Sequence, residues 1–134
     1  MKTINQDIIN EFLDKRNVFA VIGVSNNKEK YGNKIYFDLK QAGYTAYPIN
    51  PNVSEVSGER CYSKLIDLPL KPDVVDIVVP PKITEKVVKE CKDLKINKVW
   101  MQPGSESEEA IMFCRENDIK VLFGVCVMLE RRKK

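Results

Sequence analysis

Apolar and polar residues recur along this chain in two rhythms, and the switches between them mark out its elements. Ile4, Ile8 and Phe12, with Ile9 and Leu13, fall at helical spacing behind Thr3-Ile4-Asn5-Gln6, which fits a capping box. This predicts an opening amphipathic helix that ends near Arg16-Asn17. Val18-Phe19-Ala20-Val21-Ile22 is apolar throughout, as a strand covered on both faces must be, and runs into Gly23. After a polar loop, Ile35, Leu39 and Ala42 form a helical stripe that stops at Gly43, the residue type expected just past a helix end. Tyr44 to Ile49 reads as a second strand. A looser connector with Gly58 and a short turn around Ser63 to Asp67 leads to a third strand, Val74 to Val79, halted by Pro80-Pro81. Ile83, Val87, Cys91 and Leu94 predict the next helix, Lys98 to Met101 a fourth strand, Ala110, Phe113 and Cys114 another helix, and Lys120 to Phe123 a fifth strand.

Strands alternating with helices at this interval are parallel βαβ units, whose crossovers are right-handed in nearly every case. The expected fold is therefore α/β: a Rossmann-like, doubly wound sandwich with a five-stranded, mainly parallel sheet flanked by helices. A length of 134 residues fits one domain, 1–134, with a tail from about residue 130 expected to fray.

In an open parallel sheet, ligands lie beyond the carboxyl ends of the strands, so the segments that follow each strand carry the functional signal. After the first comes Gly23-Val24-Ser25-Asn26-Asn27-Lys28-Glu29-Lys30-Tyr31-Gly32, with glycines at both ends and a helix close behind. Backbone N–H groups of such a loop and the helix N-terminus can hold phosphate, and Lys28, Lys30 and Lys34 add positive charge. The segment is not G-x-G-x-x-G, because Ser25 and Lys28 replace its second and third glycines. The second strand ends in Tyr47-Pro48-Ile49-Asn50-Pro51, without the acidic residue that binds a dinucleotide's ribose. Standard NAD binding is disfavoured on both counts. No P-loop motif is present either. Val79-Pro80-Pro81 offers a rigid stretch whose carbonyls could meet a ligand, and Gln102 stands at the tip of the fourth strand. Beyond it, Ser105 and Glu108 have capping-box spacing.

Composition narrows the chemistry. The chain has no histidine, and Cys61, Cys91, Cys114 and Cys126 show no CxxC spacing. Mixed Cys/His zinc sites, a Ser-His-Asp triad and a Cys-His pair are thereby excluded within one chain. Cys91 and Cys114 fall on apolar helix faces and are expected to be small buried hydrophobes; Cys126 lies near the C-terminal end of the fold. The net charge of +3 sits in Glu130 to Lys134, and the remainder balances at 18 basic and 18 acidic residues. No basic stripe interleaved with aromatics supports nucleic-acid binding, and no apolar run is long enough for a bilayer. A cytoplasmic protein is expected.

The motifs Val-Ile-Gly-Val-Ser at 21–25, Tyr47-Pro48-Ile49-Asn50-Pro51, Gly58 ahead of Cys61-Tyr62, Asp76 to Pro81, Val99-Trp100-Met101-Gln102-Pro103-Gly104 and Gly124-Val125-Cys126 occur in that order. As a set they resemble small stand-alone CoA-binding proteins related to the N-terminal CoA-binding domain of succinyl-CoA synthetase alpha subunits and NDP-forming acyl-CoA synthetases. The resemblance implies coenzyme A or an acyl-CoA as ligand. It implies that Gly23, Ser25, Asn26, Lys30, Tyr31 and Gly32 take the phosphates and adenosine, and that Asn50, Pro51, Val79, Pro80 and Pro81 line the nucleotide or pantetheine. Gln102 and Gly104 would lie near the exposed limb. The synthetases use a histidine in a further domain, which this chain lacks, so binding without catalysis is expected. Two alternatives stay open: a mixed disulfide of CoA with Cys61 or Cys126, or a sensing subunit that docks on a separate synthetase through residues such as Met128 and Leu129. A homodimer is a further possibility.

Overall fold

The computed structural model describes residues 6–133. The capping box expected at Thr3 lies outside them. The helices are α1 (Gln6–Phe12), α2 (Tyr31–Gln41), α3 (Pro81–Asp93), α4 (Glu108–Glu116) and α5 (Val127–Arg132). The strands are β1 (Val18–Ile22), β2 (Thr45–Ile49), β3 (Glu55–Val56), β4 (Glu59–Arg60), β5 (Val74–Ile77), β6 (Lys98–Met101) and β7 (Lys120–Phe123).

Five strands form one parallel sheet in the order β2-β1-β5-β6-β7. Alternate residues of each strand serve opposite faces, and the burial follows. Phe19, Val21, Val74, Trp100 and Leu122 pack with α1, α2 and α5, whereas Ala20, Ile22, Val75, Ile77, Val99 and Met101 pack with α3 and α4. This is the doubly wound α/β sandwich expected, and its wholly apolar central strands are what two covered faces require. Strand order reverses between β1 and β5, so the crevice of an open α/β sheet falls above their carboxyl ends.

The third strand, β5, ends at Ile77 rather than Val79 and β2 begins at Thr45 rather than Tyr44, and larger differences from the sequence reading lie elsewhere. Helix α1 stops at Phe12 rather than near Arg16, because the Asn17 side-chain amide donates to the carbonyls of Glu11 (2.8 Å) and Phe12 (3.1 Å) and closes the helix end. The looser connector holds an antiparallel hairpin, β3–β4, turned through Ser57 and Gly58, both at positive φ. The segment expected to fray from about residue 130 lies in α5 through Arg132. There Arg131 grips Asp38 of α2 with two bonds (2.8 and 2.6 Å), and the Glu130 side chain is buried. The apolar underside of α5, Val127, completes the core and holds the segment down.

Strand β2 is an edge strand containing Pro48. Outside it the chain returns at Tyr62, whose N–H donates to the Pro48 carbonyl (2.9 Å) and whose carbonyl accepts from Asn50 N–H (2.9 Å).

Candidate functional site at the carboxyl ends of the strands

The β1–α2 loop is shaped by two glycines that no other residue can replace at its present geometry. A Cβ on Gly23 would run into the Val78 carbonyl oxygen and lie 2.8 Å from Val79 Cγ1, and Gly23 has φ +97°. A Cβ on Gly32 would strike the Gly23 carbonyl oxygen. The two ends of the loop thus lie on one another, and the first turn of α2 is pressed onto the end of β1. Close helix-to-strand approach, the task of the third glycine in a dinucleotide fingerprint, is here performed by Gly32.

The N-terminus of α2 is open. Its N-cap residue, Lys30, makes no side-chain cap, and the first turn carries no acidic side chain. The first N–H groups of any helix lack intrahelical partners, so this end presents donors and a positive dipole to the loop. Helix α4 makes the contrast: Ser107 Oγ accepts from Ala110 N–H (3.3 Å), with Glu108 and Glu109 in its first turn. Lys28, Lys30 and Lys34 around the open end are exposed, and none forms an ion pair among the described residues. Two open grooves flank the loop. One of about 540 Å³ runs between α2 and α5 past Lys28, Asn33, Lys34 and Arg132; another of about 500 Å³ lies by Pro51, Ser54, Arg60 and Tyr62.

Most of the polar side chains expected to face a ligand instead stitch loops together. Asn26 donates to the Glu55 carbonyl (2.7 Å) and accepts from Ser57 N–H (3.2 Å), which ties the hairpin to the loop. Asn50 donates to the Val24 carbonyl (2.9 Å), and Ser25 Oγ accepts from Asn27 N–H (3.0 Å). These bonds fix the cradle while leaving the exposed side chains of Lys30 and Pro51 at its rim. Tyr31 is half-buried, its hydroxyl directed to Cys126.

Gln102 is corrected outright. It is fully buried; its amide donates to Asp76 Oδ1 (2.6 Å), and its oxygen accepts from Val127 N–H (3.0 Å). Both ends are spent on the interior, so it is unavailable to a ligand. The Pro80 carbonyl, also expected to be free, accepts from Ile83 N–H (2.9 Å) and Thr84 N–H (3.2 Å) as the first turn of α3 forms. Val79 is half-buried, while Pro80, Pro81 and Gly104 are exposed. Ser105 does not cap α4: its Oγ accepts from Val79 N–H (3.2 Å) and its carbonyl from the Thr84 hydroxyl (2.8 Å), which leaves the cap to Ser107.

Sequence reasoning passed over Asp76, Arg60 and Tyr62 as site residues. Asp76 is wholly buried in β5, with Oδ1 bonded to Gln102 and Oδ2 without a partner. Burial pushes its carboxyl up to about 7, against the smaller opposing pull of the Gln102 amide. The signal was a lone acid inside an apolar strand. Arg60 lies 4.7 Å over the Tyr62 ring at the mouth of the second groove. Three cysteines are buried, and burial raises the thiols of Cys61, Cys91 and Cys114, that of Cys114 to about 12; Cys126 is half-exposed. Among the described residues no cluster of His, Cys, Asp or Glu could hold a metal, and no helix is long and apolar enough to cross a membrane.

Residues 17–132 match the family described as CoA binding domain. The chain belongs to the CoA binding domain family. Among its relatives, this CoA binding domain is 37% identical over 92 residues to acetate–CoA ligase [ADP-forming] II of Archaeoglobus fulgidus, which covers 67% of the chain but 14% of the ligase. It is 25% identical over 119 residues to the uncharacterized protein YneT of Bacillus subtilis, covering 89% of the chain and 88% of YneT. The structure of a hypothetical protein from Pyrococcus horikoshii OT3 superposes with a TM-score of 0.91 at 31% identity, over 97% of this chain and 92% of that one. The CoA binding domain therefore spans about one seventh of that ligase but nearly the whole of YneT.

Proposed function

We propose that this domain binds coenzyme A or an acyl-CoA across the carboxyl ends of its strands, and that it does so as a carrier or sensor rather than as a ligase. The observation that carries the reading is the uncapped N-terminus of α2, pressed close by Gly23 and Gly32, with Lys28, Lys30 and Lys34 around it and without an ion pair among the described residues. CoA bears a diphosphate and a 3′-phosphate, and a helix end rimmed by exposed ammonium groups suits such charge. Ser25, Asn26, Tyr31 and Gly32 form the phosphate cradle through backbone donors, Lys30 joins them through its ammonium group, and Gly23, whose N–H is spent on the Ile49 carbonyl (2.8 Å), shapes the turn. Asn50 and Pro51, with Arg60 and Tyr62 beside them, border the groove that suits the adenosine. Val79, Pro80, Pro81 and Gly104 border the course of the pantetheine. The family membership and the acetate–CoA ligase relatives support the ligand class. The chain has no histidine, so any phosphoryl chemistry would come from a partner synthetase chain. The same reading places the protein in the cytoplasm.

Titration calorimetry with CoA, acetyl-CoA, NAD and ATP tests this. CoA or acetyl-CoA is expected to bind, and joint replacement of Lys28, Lys30 and Lys34 by alanine to weaken it about tenfold or more. Absence of binding at millimolar CoA would sink the reading.

A further inference from the structure

The groove of about 500 Å³ beside the carboxyl end of β2 holds charge of both signs: among the described residues that line it, Arg60 is the one cation and Asp67 the one acid. Neither forms an ion pair among the described residues. Arg60 stands directly across the β3–β4 hairpin from Glu55, yet it makes no ion pair with that carboxylate; its guanidinium lies 4.7 Å from the centre of the Tyr62 ring. The platform under it is fixed. Tyr47 packs edge-on to Tyr62 at 5.9 Å, and the Tyr62 backbone is bonded to Pro48 and Asn50. The hairpin that carries Arg60 is fixed as well, because Asn26 of the β1–α2 loop grips the Glu55 carbonyl and the Ser57 N–H. A guanidinium laid on an aromatic face keeps its N–H edges open, and those edges match two oxygens of one phosphate. Ser54 and Ser63, both exposed, bring hydroxyl donors to the same groove. CoA carries phosphate in two places, a diphosphate on the 5′ side of its ribose and a single phosphate on the 3′ side. The open end of α2 accounts for the first. A ligand that brings a phosphate to Arg60 and an amino group to Asp67 matches both charges of the groove, and the adenosine 3′-phosphate head of CoA has both.

We infer that Arg60 is the residue that recognises the 3′-phosphate of CoA, so that the domain distinguishes CoA from its dephosphorylated form and from other adenine nucleotides. The inference deepens the CoA-binding reading above and rests on it. Arg60 donates from two N–H groups to two oxygens of the 3′-phosphate, while Lys28, Lys30 and Lys34 serve the diphosphate, which CoA and dephospho-CoA share. Selectivity thus resides on the hairpin and general phosphate affinity on the β1–α2 loop, with Asn26 joining the two.

The test titrates the full chain with CoA and with dephospho-CoA in parallel, by calorimetry. The unaltered chain is expected to bind CoA about tenfold more tightly than dephospho-CoA, the gain from one two-pronged, charge-assisted contact. Arg60→Ala should lose about tenfold in affinity for CoA and far less for dephospho-CoA, so that the ratio between the two falls close to one. Arg60→Lys should lie between, because an ammonium group supplies a point charge without the fork. Joint replacement of Lys28, Lys30 and Lys34 by alanine should weaken both ligands and leave the ratio standing. Each ratio is measured on one protein, so any change in the folded fraction cancels from it. Equal affinity of the unaltered chain for CoA and dephospho-CoA would overturn the inference while CoA binding stands. So would an Arg60→Ala chain that loses both ligands alike, or a ratio that collapses only in the lysine variant. If neither ligand binds the unaltered chain, the CoA-binding reading itself has failed, and the role of Arg60 falls with it.

Discussion

At the scale of single residues, the site depends on atoms that are absent. Gly32 has no room for a methyl group against the Gly23 carbonyl, so Gly32→Ala must lift the first turn of α2 off β1. Thermal melts should show a loss of about 1–3 kcal/mol, and calorimetry a marked loss of CoA affinity. Gly58→Ala is the control: its Cβ would meet open space, and only the positive φ of +83° would cost about 1 kcal/mol, with little effect on affinity. Asp76 gives a prediction in pH. Its folded-state carboxyl titrates near 7 and its unfolded one near the ordinary 3.8, so between those values the folded protein binds more protons. Its contribution is therefore complete below about pH 4 and fades as pH rises toward 7. Asp76→Asn keeps the acceptor for Gln102 and cannot ionise. Melting temperatures of that variant should fall less than those of the parent across that window.

At the scale of elements, α5 is the piece whose importance was hardest to foresee. A run of Glu-Arg-Arg-Lys-Lys looks like solvated charge, and nothing local says that Arg131 will meet Asp38, 93 positions earlier. Arg131→Ala should lower stability by about 1–3 kcal/mol in urea or thermal unfolding, because a bidentate, largely shielded pair is broken and Asp38 is left without its fork. The hairpin escaped notice for a different reason: strands of two residues have no periodicity to detect, although Ser57-Gly58 is a turn dipeptide. The five strands of the main sheet were legible because each is a short, nearly continuous apolar run bounded by glycine, proline or polar residues. The glycine loop was legible as a ligand cradle in kind. Which side chains face outward was not, since Asn26, Asn50 and Gln102 are types that serve a ligand or a neighbouring loop equally well, and only distance decides between them.

At the scale of the whole molecule, the reversal of strand order between β1 and β5 and the two covered faces leave the carboxyl edge as the natural place for a ligand. Charge there is concentrated in the exposed Lys28, Lys30 and Lys34, so CoA affinity should fall as ionic strength rises. Isotherms recorded at about 0.05 M and about 0.5 M salt should differ severalfold, and the difference should shrink when the three lysines are alanine. The outer margins of the sheet carry a separate consequence. Pro48 has no N–H to offer, and its carbonyl is already taken by Tyr62; at the opposite margin β7 is four residues long and starts with Lys120, which is tied to Glu11 of α1. A foreign strand thus finds only a short ladder to extend at either side. The margins carry two of the devices by which sheet proteins disfavour edge-to-edge pairing, a proline in one edge strand and a lysine on a short other one.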